Sequence, residues 1–211
     1  GIHHYGYTEK IGPVLESALR WQNLDGIDLH GTEDTPMGDW APDYWRRARD
    51  AGKFTKAHAG EFCGAEFVRY AVEKLGAQRI QHGVRSIEDP EVLALLRDRG
   101  IALDVCPISN VKLRVVPSPG EHPIKQLLDA GVSSFKAFVG NTFGNLPAPS
   151  DGALLEGFEI LAPLGIRTVV HAENSSIMAR RQAQLQAAGR IDPLAHLDAR
   201  PAVAEIEAIG R

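Results

Sequence analysis

A strand, a loop, a helix and a closing glycine recur along this 211-residue chain, and that recurrence limits the fold more than any other feature. Phe67, Val68, Ala71, Val72 and Leu75 fall at helical spacing, Gly76 closes the run, and residues 79–82 have the length of a strand. The same sequence of signals gives a helix over 90–99 closed by Gly100 and a strand over 101–106. It gives a helix over 123–130 closed by Gly131 and a strand over 134–139, then a helix through Leu154, Leu155, Phe158 and Leu161 closed by Gly165 and a strand over 167–171. Upstream, a weak strand lies within residues 1–6 and Thr8 caps a helix through Ile11, Val14, Leu15, Ala18 and Leu19. A strand over 26–30, a helix over 42–51 with Tyr44, Trp45 and Ala48 inward, and a strand over 54–58 follow. His58, His82 and Cys106 end successive strands at intervals of 24 residues. Strands that alternate with helices make a parallel sheet covered by helices. No G-x-G-x-x-G follows any strand, which removes the main support for an open dinucleotide-binding sheet. The expected fold is therefore α/β, a (β/α)₈ TIM-barrel type. With about seven strands, against about 250 residues for a usual barrel, it is incomplete.

Composition narrows the function. The net charge is -4 with a pI near 6.1, so no basic surplus points to nucleic acid. No apolar run approaches the roughly 20 residues that span a bilayer, and residues 1–10 lack a signal peptide's regions. Two cysteines, Cys63 and Cys106, are too few for a disulfide framework and read as free thiols in a reducing compartment, so the expected location is cytoplasmic.

The chemistry gathers around F-T-K-A-H-A-G-E, residues 54–61. A strand ending in His58, a glycine at 60 and a carboxyl at Glu61 bring a metal-ligating imidazole and a proton carrier to one rim of a sheet. His82 ends the next strand, and Asp28 lies on the preceding one. Two imidazoles and two carboxylates on one rim can bind a divalent metal and activate water. A purely structural reading, with His82 capping a strand and Asp28 bonding a loop amide, stays open at this level.

H-A-G-E at 58–61, R-I-Q-H-G-V at 79–84, E-D-P at 88–90 and D-V-C-P-I-S-N at 104–110 resemble the adenosine deaminase family of the amidohydrolase superfamily. G-I-D-L-H-G at 26–31 and E-H-P at 121–123 are similar to the same family, and the resemblance covers residues 1–132. It implies that His58 is a zinc ligand, Glu61 the acid that protonates a purine ring, and His82 the residue that orients and deprotonates the attacking water. It also implies that Gly31, with Asp28, contacts substrate. Gln81 stands where the family has glycine and His30 where it has a small residue, so both narrow the expected pocket. The family's H-x-H pair on its first strand and its Asp-Asp pair on its last have no counterpart here.

Residues 133–211 resemble instead the cyclic amidohydrolases, among them dihydroorotase, allantoinase and hydantoinase. The residues that carry this likeness are F-K-A-F-V-G at 135–140, G-N-L at 144–146, V-V-H-A-E-N at 169–174 and D-A-R-P at 198–201. This resemblance implies a metal-bridging, carbamylated Lys136 and a metal ligand at His171; a salt-bridged lysine is the structural alternative. His122 and His196 read as packing residues. The chain thus reads as a chimera of two barrel segments, 1–132 and 133–211, packing as one domain.

Three functions follow from these motifs. The first is zinc-dependent hydrolytic deamination of adenosine or adenine, with a small purine as partner and neither nucleic acid nor membrane. The second is hydrolysis of a cyclic amide through Lys136 and His171. The third is a catalytically silent barrel fragment that a second copy of the chain completes as a homo-oligomer.

Overall fold

In the computed structural model, residues 1–33, 38–131, 134–140 and 149–210 are described. The chain divides into two compact units, Gly1–Phe135 and Lys136–Arg211. The expected join at Val132 and Ser133, and the G-N-L motif at 144–146, lie outside the described residues.

The first unit alternates strands and helices as the glycine punctuation requires. Strand β1 (Ile2–His3) is followed by α1 (Gly12–Ala18), β2 (Gly26–His30), α2 (Trp40–Asp50) and β3 (Phe54–Ala59). Then come α3 (Ala65–Glu73), β4 (Arg79–His82), α4 (Pro90–Asp98), β5 (Ala102–Val105), α5 (Pro107–Lys112) and α6 (Ile124–Asp129). The first residues of β6 (Ser134–Val139) complete the unit. Each strand pairs in parallel with the next in sequence order, with Leu29 opposite Ala57, Ala57 opposite Ile80, Gln81 opposite Asp104 and Asp104 opposite Ser134. Five consecutive parallel strands with helical crossovers form the wall of an incomplete TIM barrel.

Because side chains alternate along a strand, the two faces of this wall differ in chemistry. Ile27, Leu29, Ala57, Ile80, Leu103 and Val105 are buried, in one core with Tyr44, Trp45 and Ala48 of α2, Val68, Ala71 and Val72 of α3, and Val92 and Leu96 of α4. The other face carries Asp28, His30, Lys56, His58, Arg79, Gln81 and Asp104. Tyr44 and Trp45 of α2 are wholly buried without stranding their polar atoms. Tyr44 Oη donates to Leu15 O at 2.6 Å, and Trp45 Nε1 donates to Lys56 O at 3.2 Å. Thr8 is not the N-cap of α1: the helix begins after Ile11, and Thr8 Oγ1 accepts from the Ile11 amide at 3.2 Å.

Among the described residues, the second unit holds the remainder of β6, β7 (Thr168–Ala172) and the helices α7 (Asp151–Leu161), α8 (Ser175–Ala187), α9 (Pro193–Asp198) and α10 (Ala202–Ile209). Polar caps start three of them: Ser150 accepts from the Ala153 amide, Asn174 from Ser176 and Ile177, and Asp192 from Ala195. Its buried hydrophobic residues are all alanines, Ala172, Ala195, Ala199, Ala204 and Ala208, among those described.

Candidate active site

The polar face of the wall ends in a row of rings. His3, His30 and His58 stand level on β1, β2 and β3, with ring centroids 5.7 Å and 6.2 Å apart, and the His82 ring lies 5.6 Å beyond His58. Gly31 packs directly on this row: its φ is +125°, and a Cβ there would sit 2.8 Å from the His3 imidazole. His30 lies between the His3 and His58 rings at the strand ends. Burial holds its imidazole below the ordinary pKa, and His58 pushes in the same direction.

His58 has a defined tautomer. Its Nδ1 lies 3.2 Å from Asp28 Oδ1 and 3.2 Å from Leu29 O, and both neighbours accept. Nδ1 consequently carries the proton and Nε2 keeps the lone pair, the arrangement a metal-ligating histidine takes from its outer partners.

Glu61 follows a tight turn. Gly60 has φ +67°, and a Cβ there would meet Val68 Cγ2 at 2.5 Å, so the backbone passes under α3 only without a side chain. The Glu61 carboxyl is buried, and its Oε1 makes no hydrogen bond, with His82 Nδ1 3.4 Å away. Burial, reinforced by the negative charge of Glu33, pushes its pKa up to about 7. Glu33, itself buried, accepts from three consecutive backbone amides, Glu61 at 3.0 Å, Phe62 at 2.8 Å and Cys63 at 2.7 Å. It thus ties the loop after β2 to the loop that bears Glu61.

His82 departs from strand geometry. Its φ is +67° and that of Gly83 is +63°, two left-handed residues in succession, and the Gly83 amide donates to Ala59 O at 2.9 Å. A histidine held in this region is an uncommon conformation for a side-chain-bearing residue, of the kind found where a site fixes a group's direction. Beneath the rim, Asp104 Oδ2 takes Lys56 Nζ at 2.7 Å and Asp104 Oδ1 takes Arg79 Nε at 2.7 Å, and Ser134 Oγ lies 2.8 Å from Oδ1. Gln81 is buried within this cluster. It pairs with Lys56 through Oε1 and donates through Nε2 to Asp104 O at 3.1 Å, so its side chain fills the inner face where a glycine would leave room.

The site residues read from the sequence fall into two groups. Asp28, Gly31, His58, Glu61 and His82 come together on the rim of the first unit. Lys136 and His171 belong to the second unit, where Lys136 is half-buried on β6 and His171 Nε2 lies 2.9 Å from Glu173 Oε2. Among the described residues no three His, Cys, Asp or Glu side chains are grouped as a metal ion requires. Among the described residues His58 alone has the form of a ligand, so these residues by themselves do not make up a zinc site. Glu33, Asn110 and Lys56 take part in the site without having been marked in the sequence. Asn110 lies within D-V-C-P-I-S-N and Lys56 within F-T-K-A-H-A-G-E, whereas Glu33 sits in a polar turn with no periodic signal.

The family model for adenosine deaminase matches residues 6–135. The chain belongs to the adenosine deaminase family. An adenine deaminase of Cupriavidus necator is 44% identical over 120 residues, which are 56% of this chain and 34% of that protein. One from Rhizobium rhizogenes is 43% identical over 137 residues, 63% of this chain and 41% of that protein. Among solved structures, the adenine deaminase of Arthrobacter aurescens superposes with a TM-score of 0.54 at 31% identity, covering 71% of this chain and 46% of that one. An amidohydrolase of Burkholderia ambifaria with bound Zn has a TM-score of 0.55 at 27% identity, covering 64% and 39%. The chain thus spans about two fifths or less of the curated relatives it matches, and the family match ends where the second unit begins.

Proposed function

We propose that the first unit carries the proton-transfer part of a purine deaminase site, acting on adenine or adenosine. The observation that carries this reading is Glu61: a buried carboxyl with a pKa of about 7, beside His82 at the end of adjacent parallel strands. A general acid works best when its pKa lies near the working pH, and Glu61 meets that condition through its surroundings. In the reaction water adds to C6 of the purine and the bond from C6 to the exocyclic nitrogen breaks; of the two protons of the water, one leaves with that nitrogen as ammonia and the other restores the Glu61 acid. Glu61 supplies the proton that the ring nitrogen takes as the carbon becomes tetrahedral. His82 meets the attacking water. The relatives that share this segment are adenine deaminases, which favours the free base over the nucleoside.

The Zn bound in one structural relative makes zinc the metal of this reading. His58 would hold it from the rim through Nε2, and the described residues supply no further ligands grouped with it. Metal roles for Lys136 and His171 rest on F-K-A-F-V-G and V-V-H-A-E-N, and the cyclic-amide alternative and the two-parent origin of the chain rest on these together with G-N-L and D-A-R-P. The test is ammonia release from adenine and from adenosine by the full chain supplied with zinc, compared with Glu61→Gln. Release from adenine that falls at least about 100-fold in the variant supports the reading. Absence of release from both purines, or an unaffected variant, would overturn it.

A further inference from the structure

Behind His82, away from the rim, a second histidine and an amide complete a buried chain of polar groups. Asn110 is fully buried on α5, and its backbone is fixed on both sides: its amide donates to Cys106 O at 2.9 Å, and its carbonyl accepts from Val115 at 2.9 Å and Val116 at 3.2 Å. Its side-chain Nδ2 lies 3.2 Å from His82 Nδ1, and its Oδ1 lies 3.3 Å from Nε2 of buried His122. His122 Nδ1 is buried and makes no hydrogen bond.

These contacts fix a direction. Burial holds His122 below its ordinary pKa, so it is neutral and has one proton to place. A buried N–H without an acceptor is costlier than a bare ring nitrogen, so that proton belongs on Nε2, where it donates to Asn110 Oδ1. The amide of Asn110 is thereby oriented with its NH₂ towards His82. An NH₂ group only donates, and so His82 Nδ1 must accept.

We infer that Asn110 and His122 are positioning residues that fix His82 as the tautomer with its proton on Nε2. This rests on the purine deaminase reading for its catalytic meaning, but not for its geometry. His58 and His82 then stand side by side in opposite tautomers, His58 with a lone pair on Nε2 and His82 with a hydrogen there. In this form His82 gives a hydrogen bond to the attacking oxygen and steadies the charge that develops on it, instead of removing a proton from it.

The experiment is a long-range ¹H–¹⁵N correlation spectrum of the full chain with ¹⁵N-labelled histidine, at a pH where imidazoles are neutral, with His82 assigned by its loss in His82→Asn. The expected pattern for His82 is a protonated Nε2 and a bare Nδ1. In Asn110→Asp the side chain keeps its shape but only accepts, so the His82 proton should move to Nδ1. A protonated Nδ1 in the unsubstituted chain, or a pattern unchanged by Asn110→Asp, would overturn the inference. If Asn110→Asp does not fold, the spectrum of the unsubstituted chain still decides. Failure of the deaminase reading shows as absent ammonia release and leaves this spectrum as it is, so the two failures are distinct.

Discussion

Glu61 is held at a cost that pH should reveal. Its folded pKa of about 7 lies above the ordinary 4.5, so the folded state binds a proton that the unfolded chain has already released between those values. Stability from this group therefore falls as pH rises from about 4.5 to 7, by an amount on the order of 3 kcal/mol. Glu61→Gln removes the penalty: thermal melts should show the variant more stable than the parent at pH 8 and indistinguishable from it at pH 4. Equal stability at pH 8 would contradict the shift. Glu33→Gln should have the opposite sign. It replaces an acceptor that serves three amides by a group with only one oxygen, and a cost of about 1–3 kcal/mol in urea unfolding is expected. At this scale the sequence was half legible. His58, Glu61 and His82 could be placed because each ends a strand or follows its turn. Glu33 could not, because its partners are backbone amides that carry no side-chain pattern.

At the level of elements, the wall of the barrel is built around one buried carboxylate. Burial pushes the Asp104 pKa up, but hydrogen bonds from Arg79 and Lys56 outweigh this and hold it below the usual carboxylate range. Its contribution is present above the unfolded value near 3.9 and is lost as pH falls towards the folded one. Arg79→Met leaves the charge of Asp104, which is 1% exposed, with one cation fewer. A loss of about 3–5 kcal/mol by urea unfolding is expected, whereas a loss below about 1 kcal/mol would mean that Lys56 alone suffices. Strands β2, β4 and β6 could be read from the sequence to the residue, since glycines bracket them. Helix α8 was not read from the pattern, because S-S-I-M-A-R-R-Q-A-Q-L-Q-A has no apolar stripe and is set by its Asn174 cap. Helix α5, six residues begun by Pro107, is too short for any period to declare it, and it is the element that carries Asn110.

Across the whole molecule the two units differ in what they bury. The first has a continuous core of Leu, Ile, Val, Tyr and Trp, while the buried hydrophobic residues described in the second are alanines only. Burial of large apolar side chains supplies most of the free energy of folding, so the units should differ in resistance to opening. Amide hydrogen exchange is expected to be slowest at Leu103 and Val105 of β5 and much faster along α8 to α10; comparable protection in both would contradict this. The repeating glycines made the barrel wall legible, whereas the contrast between units was hidden, because hydrophobic composition alone does not say which side chains find partners. The central claim is that the first unit holds Glu61 as an acid poised at neutral pH. A ¹³C titration of the glutamate carboxyls in the full chain, with Glu61 assigned by its loss in Glu61→Gln and with Glu33 and His82 facing it, tests that claim most directly. The expected midpoint for Glu61 is about 7, and a midpoint at the ordinary 4.5 would contradict the account.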